Sequence, residues 1–206
     1  LEYLDDGNST FSNYLRDGKN VYFVNDEDGK VKIVKNVDKN TFKAVNGNYG
    51  VDSKNVYYLG EKLDFVGLDG LKIFNDIYLK DKKNVYEISI NNNDKVKIKP
   101  IKNLNIDVVT FENIYEGFYY RDKNAIYYVD TDENSEKKTL KILKGADPST
   151  FELGIISIDK NSVFIENQKL EGVSSKGFEI LDNEFNFVKD YKNVYYLDRE
   201  SDGITY

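Results

Sequence analysis

Cysteine, histidine, methionine and tryptophan are all absent from this 206-residue chain, and only two prolines occur. Without cysteine there can be no disulfide, no thiolate nucleophile and no zinc–thiolate site. Without histidine the commonest general base and transition-metal ligand is gone. No Ser-His-Asp or Cys-His arrangement is therefore possible. Neither Gly-x-x-x-x-Gly-Lys nor Gly-x-Gly-x-x-Gly, the two glycine patterns that cradle phosphates, is present. No apolar run approaches the ~18 residues that a membrane helix needs. The net charge of −7 is spread over interspersed signs with no basic patch, which argues against a nucleic-acid partner. A carboxylate pair working as acid and base survives these absences, but none of the 36 acidic residues is marked out as one. The expectation is a protein that is not an enzyme and carries no cofactor. The chain opens on Leu1, so an export signal or lipid anchor upstream of it would lie outside this sequence.

What is present is a repeat. Six aspartates anchor it: Asp17, Asp52, Asp81, Asp122, Asp159 and Asp190. Three positions before each stands a large apolar residue: Tyr14, Tyr49, Tyr78, Tyr119, Ile156 and Phe187. Four after each stands a β-branched residue, from Val21 to Val194, and five after each an aromatic, from Tyr22 to Tyr195. A Lys and then an Asn follow every anchor. Asp opens type I turns because its carboxylate accepts backbone N–H groups just ahead of it, and Asn tolerates the left-handed conformation that closes short hairpin loops. The flanking residues are strand formers. Each anchor thus reads as the tip of a β-hairpin. If Asp pairs opposite the β-branched residue, the aromatics at −3 and +5 share one face as a ladder between repeats.

A third strand follows with period-two alternation, as in Val31-Lys32-Ile33, Val96-Lys97-Ile98 and Leu140-Lys141-Ile142. Next come Asp38-x-x-Thr41-Phe42, Asp107-x-x-Thr110-Phe111 and Asp147-Pro148-Ser149-Thr150-Phe151. An N-cap Asp, with Val37, Ile106 or Ala146 before it and Phe at N4, has the form of a hydrophobic staple and predicts single helical turns between units. Weaker copies fall at Ser9-Thr10-Phe11, around Phe74, and at Ser174 to Phe178. From these Phe residues the steps to the next anchor alternate short and long, which suggests two alternating environments.

Asp122-Lys123-Asn124-Ala125-Ile126-Tyr127-Tyr128, Asp52 to Tyr58 and Asp190 to Tyr196 resemble the signature of the DKNYY family of bacterial repeat proteins. The segment Gly145 to Glu152 is similar to that family's linking motif. The resemblance covers nearly the whole chain and implies no activity, substrate or cofactor. Repeat 3 departs from it with Glu87 at the second Tyr, and repeat 5 with Ile156, Phe164 and Ile165.

The sequence therefore predicts an all-β fold: one array over 1–206, with repeats at 12–46, 47–75, 76–115, 116–153, 154–182 and 183–206. About three strands per repeat and short helical turns are expected. The units form a solenoid-like stack or, alternatively, a propeller-like ring. The predicted role is a non-catalytic binding or scaffold protein, exported to the periplasm, outer surface or medium, with a protein or glycan as partner. Phe23, Tyr58, Tyr128 and Tyr196 are the candidate exposed contacts, since each paired aromatic puts one ring on either face of a strand. The alternatives are a carbohydrate-binding module using those rings and a calcium-dependent structural protein. For calcium, Asp130, Asp132 and Asn134 have the opening spacing of an oxygen-ligand loop, but Ser135 and Lys141 stand where Gly and the closing Glu belong. Asn25 to Gly29 and Asp198 to Asp202 are further acidic loops. The anchor aspartates themselves read as turn residues.

Overall fold

The computed structural model describes residues 1–4, 12–91 and 95–197. Among them lie 22 short strands and no helix. Six small antiparallel sheets result, one per anchor. Sheet 1 holds β1 (Glu2–Tyr3), β2 (Tyr14–Arg16), β3 (Val21–Val24) and β4 (Val31–Ile33). Sheet 2 holds β5 (Lys43–Ala44), β6 (Tyr49–Val51), β7 (Val56–Tyr58) and β8 (Glu61–Leu63). Sheet 3 holds β9 (Lys72–Ile73), β10 (Tyr78–Lys80), β11 (Val85–Ile90) and β12 (Val96–Pro100). Sheet 4 holds β13 (Glu112–Tyr115), β14 (Tyr119–Arg121), β15 (Ile126–Thr131) and β16 (Lys138–Ile142). Sheet 5 holds β17 (Ile156–Ile158), β18 (Val163–Ile165) and β19 (Gln168–Lys169), and sheet 6 holds β20 (Glu179–Ile180), β21 (Phe187–Lys189) and β22 (Val194–Tyr196). Each is a simple meander, and no sheet closes into a barrel. The chain divides into two compact units, Leu1–Asn103 and Leu104–Tyr206, with three sheets in each.

Five sheets have a strand ahead of the anchor hairpin that the repeat pattern does not announce. Strands β1, β5, β9, β13 and β20 are only two to four residues long, too short for alternation to register. In sheet 5 this strand shrinks to a single bridge between Glu152 and Ile158.

The hairpin register differs by one residue from the expected one. Tyr49 lies opposite Tyr58, Gly50 opposite Tyr57 and Val51 opposite Val56. The same offsets recur at Tyr14↔Phe23, Tyr119↔Tyr128 and Phe187↔Tyr196. A one-residue shift moves side chains to the other face. The −3 residue thus shares its face with +4 and +6, called here the forward face, whereas the +5 aromatic shares the rear face with −2. The anchor Asp N–H reaches the carbonyl of +3, as in Asp52 to Asn55 at 3.0 Å. The loop is therefore closed by Asp and the +3 residue, and the Asp does not pair with the β-branched residue.

Within each unit the forward face of one sheet packs on the rear face of the next. Tyr14, Val21 and Phe23 of sheet 1 share a core with Ala44 and Tyr57 of sheet 2. Tyr49, Val56 and Tyr58 share one with Leu79 and Tyr86. In the second unit, Ile126, Tyr119 and Tyr128 meet Phe164, and Ile156, Val163 and Ile165 meet Val188 and Tyr195. Each sheet is too thin to hold a core of its own, so stacking supplies it.

The expected helical turns are not helices. At Asp38, Asp107 and Asp147 the chain makes one isolated turn: Thr41 N–H to Asp38 O, Phe111 N–H to Asp107 O, Thr150 N–H to Asp147 O. The Asp Oδ1 accepts the amide of Asn40, of Thr110 or of Ser149, but the chain then runs straight towards the next strand. A single closed turn fixes several dihedrals for one bond and does not propagate. The copy around Phe74 is also displaced. The turn before sheet 3 runs from Gly67 to Leu71, with Leu71 N–H bonded to Leu68 O, so Leu71 takes the Phe position. That removes the short step before Asp81 and with it the alternation. The Ser9-Thr10-Phe11 copy lies outside the described residues.

Candidate functional site

The anchor aspartates are the polar centres of the fold. At Asp52, Oδ1 accepts the amides of Lys54 (2.8 Å) and Asn55 (2.7 Å), which shapes the hairpin tip. Oδ2 faces the other way. It accepts the Asp38 amide at 3.0 Å from the preceding turn and the Tyr57 hydroxyl at 2.7 Å. The Tyr57 oxygen is also 2.8 Å from the Asn36 carbonyl. Asp81 repeats this with Gly67 and Tyr86, Asp122 with Asp107 and Tyr127, and Asp190 with Ser174 and Tyr195. Asp159 takes the Asp147 amide alone, because Phe164 has no hydroxyl. The clamp is two-way. Oγ1 of Thr41, Thr110 and Thr150 accepts the amide of the residue after the anchor: Ser53, Lys123 and Lys160. Where Thr is missing a carbonyl substitutes, Asp69 O for Lys82 and Lys176 O for Tyr191.

Electrostatics follow from these bonds. Burial disfavours charge on Asp52, but the Asp38 amide, the Tyr57 hydroxyl and the Lys54 amide outweigh it and hold the carboxyl well below its usual range. At Asp190 burial is likewise overcome, by the amides of Asn193, Lys192 and Ser174 and the Tyr195 hydroxyl, to about 2. The Tyr22 hydroxyl and the Asn20 and Lys19 amides bring Asp17 to about 2. Tyr57 is pushed up, by burial and then by the Asp52 carboxylate. These carboxylates stay ionised and fully bonded, a structural role with no proton free to move.

The first unit also contains a groove of about 640 Å³. Phe23, Tyr58 and Leu59 line it from sheets 1 and 2. A polar ladder crosses it: Asn13 Nδ2 donates to Asn48 Oδ1 (3.4 Å), and Asn48 Nδ2 donates to both Asp76 carboxylate oxygens (3.3 Å each). The β3–β4 loop adds Asp26, Glu27 and Asp28, while Val31 and Ile90 supply apolar walls. Four carboxylates face two ammonium groups, Lys30 and Lys32. Lys30 pairs with Asp28 at 2.6 Å, and Lys32 lies 3.5 Å from Glu61 and over the Phe23 ring. Asp26 and Glu27 are exposed, so the groove carries an excess of negative charge.

A model described as the DKNYY family matches residues 14–154 and also 61–199. The chain belongs to the DKNYY family. Neither a curated protein nor a solved structure matches it. In sheet 2 the five DKNYY letters fall in order on Asp52, Lys54, Asn55, Tyr57 and Tyr58. The geometry gives them separate tasks: Asp, Asn and the first Tyr form the hydrogen-bonded group on the rear face, and the second Tyr packs forward.

Of the four aromatics expected at the surface, Phe23 and Tyr58 are instead buried, at 2% and 4% exposure. The forward face that carries them is the stacking face, and this overturns their expected exposure. Both nonetheless line the groove. Tyr128 is half-buried beside Tyr119, and Tyr196 is exposed beside Phe187, ring centroids 5.1 Å apart. Asp130 is bound to Lys141 at 2.5 Å. Asp132 Oδ1 accepts the amides of Asn134 and Ser135 and the Ser135 hydroxyl. Among the described residues no group of three or more acidic side chains is placed to hold a metal ion. Asp198 to Asp202 lie outside the described residues. The groove is not legible in the sequence because its ladder joins residues 35 and 28 positions apart. The Asn at −4 of the first two anchors was the available signal.

Proposed function

We propose that the chain is a non-catalytic binding protein of the bacterial envelope, built from hairpin sheets stacked within each unit, with its ligand site in the groove of the first unit. The observation that carries this reading is the groove's composition: an acidic rim with surplus charge, a polar ladder and aliphatic walls. Such a site suits a peptide segment that presents lysine or arginine side chains beside apolar ones. Phe23 and Tyr58 are buried and Lys32 lies over the Phe23 ring, which leaves no open flat ring for a sugar to stack on there and favours a peptide over a glycan. Exported placement rests on the family resemblance and the cysteine-free composition.

The test is a titration of the protein with a Lys-Leu-Lys-Leu peptide and with neutral oligosaccharides, followed by amide chemical shifts. Peptide-induced shifts at Asn13, Asn48 and Ile90 are expected. They should weaken with salt and vanish in the Asp26→Lys, Glu27→Lys double variant. Shifts with oligosaccharide alone, or peptide affinity unchanged in the double variant, would sink the reading.

A further inference from the structure

Asn46-Gly47 is the one Asn-Gly pair in the chain, and it lies in the turn between β5 and β6. Oδ1 of Asn46 accepts two backbone amides, that of Asn48 at 3.0 Å and that of Tyr49 at 2.8 Å. The Asn48 bond closes a ring that contains both the side-chain Cγ and the Gly47 nitrogen, so the two are held as neighbours. Glycine brings no Cβ to hinder approach to that nitrogen. Two N–H groups converging on one carbonyl oxygen are also the arrangement that stabilises negative charge there when a nucleophile adds to its carbon. Both residues are half-buried, within reach of solvent.

We infer that Asn46 is a site of spontaneous self-modification, in which the Gly47 nitrogen attacks the Asn46 side-chain amide with the Asn48 and Tyr49 amides as the oxyanion hole. The bond from Gly47 N to Asn46 Cγ forms and that nitrogen gives up its proton. The Cγ–Nδ2 bond breaks, and Nδ2 leaves with the proton as ammonia. The product is a five-membered succinimide, which water then opens on either side. Cleavage between Cγ and the Gly47 nitrogen leaves aspartate. Cleavage between the main-chain carbonyl carbon of residue 46 and that nitrogen leaves isoaspartate, with the chain running through Cβ. One water enters, one ammonia departs, and nothing is oxidised or reduced.

Two other turns isolate what makes Asn46 reactive. Asn75 Oδ1 accepts the amides of Ile77 at 2.9 Å and Tyr78 at 2.8 Å, the same hole. Its next residue, however, is Asp76, which sets a side chain and a negative charge beside the nitrogen that would attack. Asp17 is followed by Gly18, and its Oδ1 accepts the amides of Lys19 and Asn20 at 2.6 and 2.7 Å. Those bonds and the Tyr22 hydroxyl keep the carboxyl ionised, and a carboxylate resists nucleophilic addition. Asn46 alone of the three combines the hole, a neutral amide and a following glycine.

The two products differ in consequence. Aspartate at 46 still offers an acceptor to both amides, as Asp52 does to Lys54 and Asn55. Isoaspartate lengthens the main chain by one carbon and displaces that acceptor. The same turn presents the Gly47 carbonyl to the Asn13 amide at 3.1 Å and holds Asn48 between Asn13 and Asp76. The isoaspartyl form therefore breaks the polar ladder of the groove. The reaction itself does not depend on what the groove binds.

The test is incubation of the whole folded chain in mildly alkaline buffer, followed by mass spectrometry of its tryptic peptides with electron-transfer fragmentation to separate the isomers. The peptide that holds Asn46 should gain one dalton and contain isoaspartate at that position, while the peptide that holds Asn75 stays unchanged. Because the fold supplies the hole, conversion at Asn46 should be at least as fast in the folded chain as in guanidinium. Asp76→Gly should transplant the reactivity, so that Asn75 converts as well. Amide shifts at Asn13 should change in step with the isoaspartate fraction. An Asn46 peptide of constant mass, slower conversion in the folded chain than in guanidinium, an Asn75 that stays intact in Asp76→Gly, or Asn13 shifts indifferent to isoaspartate would each overturn the inference.

Discussion

The middle sheets of the two units solve the same problem with different parts. Sheet 2 receives its neighbour through a full set: Asp52 binds the Asp38 amide, the Tyr57 hydroxyl joins both Asp52 and the Asn36 carbonyl, and Gly50 leaves space opposite Tyr57. Of these three features sheet 5 keeps only the aspartate-to-amide bond, Asp159 to Asp147 at 2.7 Å, with Phe164 and Ser157 in the other two places. Both sheets are nonetheless buried at the junction. The constant part is therefore the carboxylate that ties a hairpin tip to the turn before it, and the hydroxyl is an addition. Removing the constant part should hurt both sheets, whereas removing the additions should hurt sheet 2 alone.

The largest effect is expected from Asp52→Ala. It strands the amides of Asp38, Lys54 and Asn55 and takes from the Tyr57 hydroxyl its charged acceptor, leaving it the Asn36 carbonyl; groups bonded to a charged partner are worth about 1.5–3 kcal/mol each. With partial rescue by water, a loss of about 3–4 kcal/mol is expected on urea unfolding. Asp159→Ala strands the amides of Asp147, Asn161 and Ser162 and should cost about 1 kcal/mol less, the share of one hydroxyl. Equal losses would mean that the Tyr57 hydroxyl contributes nothing.

Gly50→Leu comes second. A Cβ there would lie 2.2 Å from Phe42 Cζ, so the ring must leave its place between Tyr14 and Tyr57. Overpacking of this kind costs about 1–3 kcal/mol. Sheet 4 shows the alternative packing: Tyr120 fills the equivalent position and Phe111 stacks flat on it at 5.2 Å and 5°. Gly50→Leu with Phe42→Ala should therefore recover part of the loss, and a double variant as unstable as the sum of the singles would refute the steric account.

Acid is a third way to separate the sheets. The carboxyls of Asp17, Asp52, Asp81 and Asp190 lie below the ordinary range in the folded protein. Protonation therefore favours the unfolded chain. Their contribution is complete above about pH 4 and is lost as pH falls toward 2. Melting temperature should be flat from pH 7 to 5 and drop steeply below pH 4, with a shallower drop in Asp52→Asn. An unchanged slope in that variant would place the acid sensitivity elsewhere.

Much of this arrangement was legible in the sequence, and the misses have physical causes. The six anchors, the hairpins and the third strands could be read because each is set by local residue preferences at fixed offsets. The face of each aromatic could not be, since it depends on whether Asp closes the loop with the +3 residue or pairs with +4. That one-residue choice sends Phe23 and Tyr58 inward and moves the +5 rings beside the carboxylates. Asp38-x-x-Thr41 reads as a helix start because an N-cap and an isolated Asx turn use the same bonds over three residues. What distinguishes them is the Thr41 hydroxyl, whose partner Ser53 is 12 residues away. Gly67 escaped notice as the counterpart of Asp38 because only its backbone N–H is needed there.

A smaller effect is expected where the chain approaches each junction. Two residues before the clamped amide the backbone is left-handed: Asn36 at φ 57°, Phe65 at 70°, Gly145 at 81° and Gly172 at 84°. The approach to sheet 5 thus uses glycine, where this conformation is free of strain. The approach to sheet 3 uses Phe65, which is 88% exposed and buries nothing in return. Its carbonyl still accepts the Tyr86 hydroxyl at 3.0 Å, so the conformation is held by the junction and not by the side chain. Phe65→Gly should stabilise the first unit by about 1 kcal/mol, the left-handed penalty less the added freedom of the unfolded chain.

The smallest and sharpest test exchanges the additions themselves. Tyr57→Phe gives sheet 2 the sheet 5 junction and should cost about 1–1.5 kcal/mol, because the one hydroxyl proton between Asp52 Oδ2 and the Asn36 carbonyl is lost at a buried site. Phe164→Tyr makes the reverse change. Its hydroxyl would arise at the +5 position beside Asp159 Oδ2, which in sheet 5 accepts the Asp147 amide, and the left-handed Gly145 carbonyl stands where Asn36 stands for Tyr57. If the clamp is modular, this variant should be neutral to about 0.5 kcal/mol more stable on urea unfolding, since a new buried hydroxyl with waiting acceptors is at least balanced. A loss above about 1 kcal/mol would show that the aromatic cluster of Phe151 and Phe164 excludes the hydroxyl. The two sheets would then be separate solutions rather than one solution with and without an added bond.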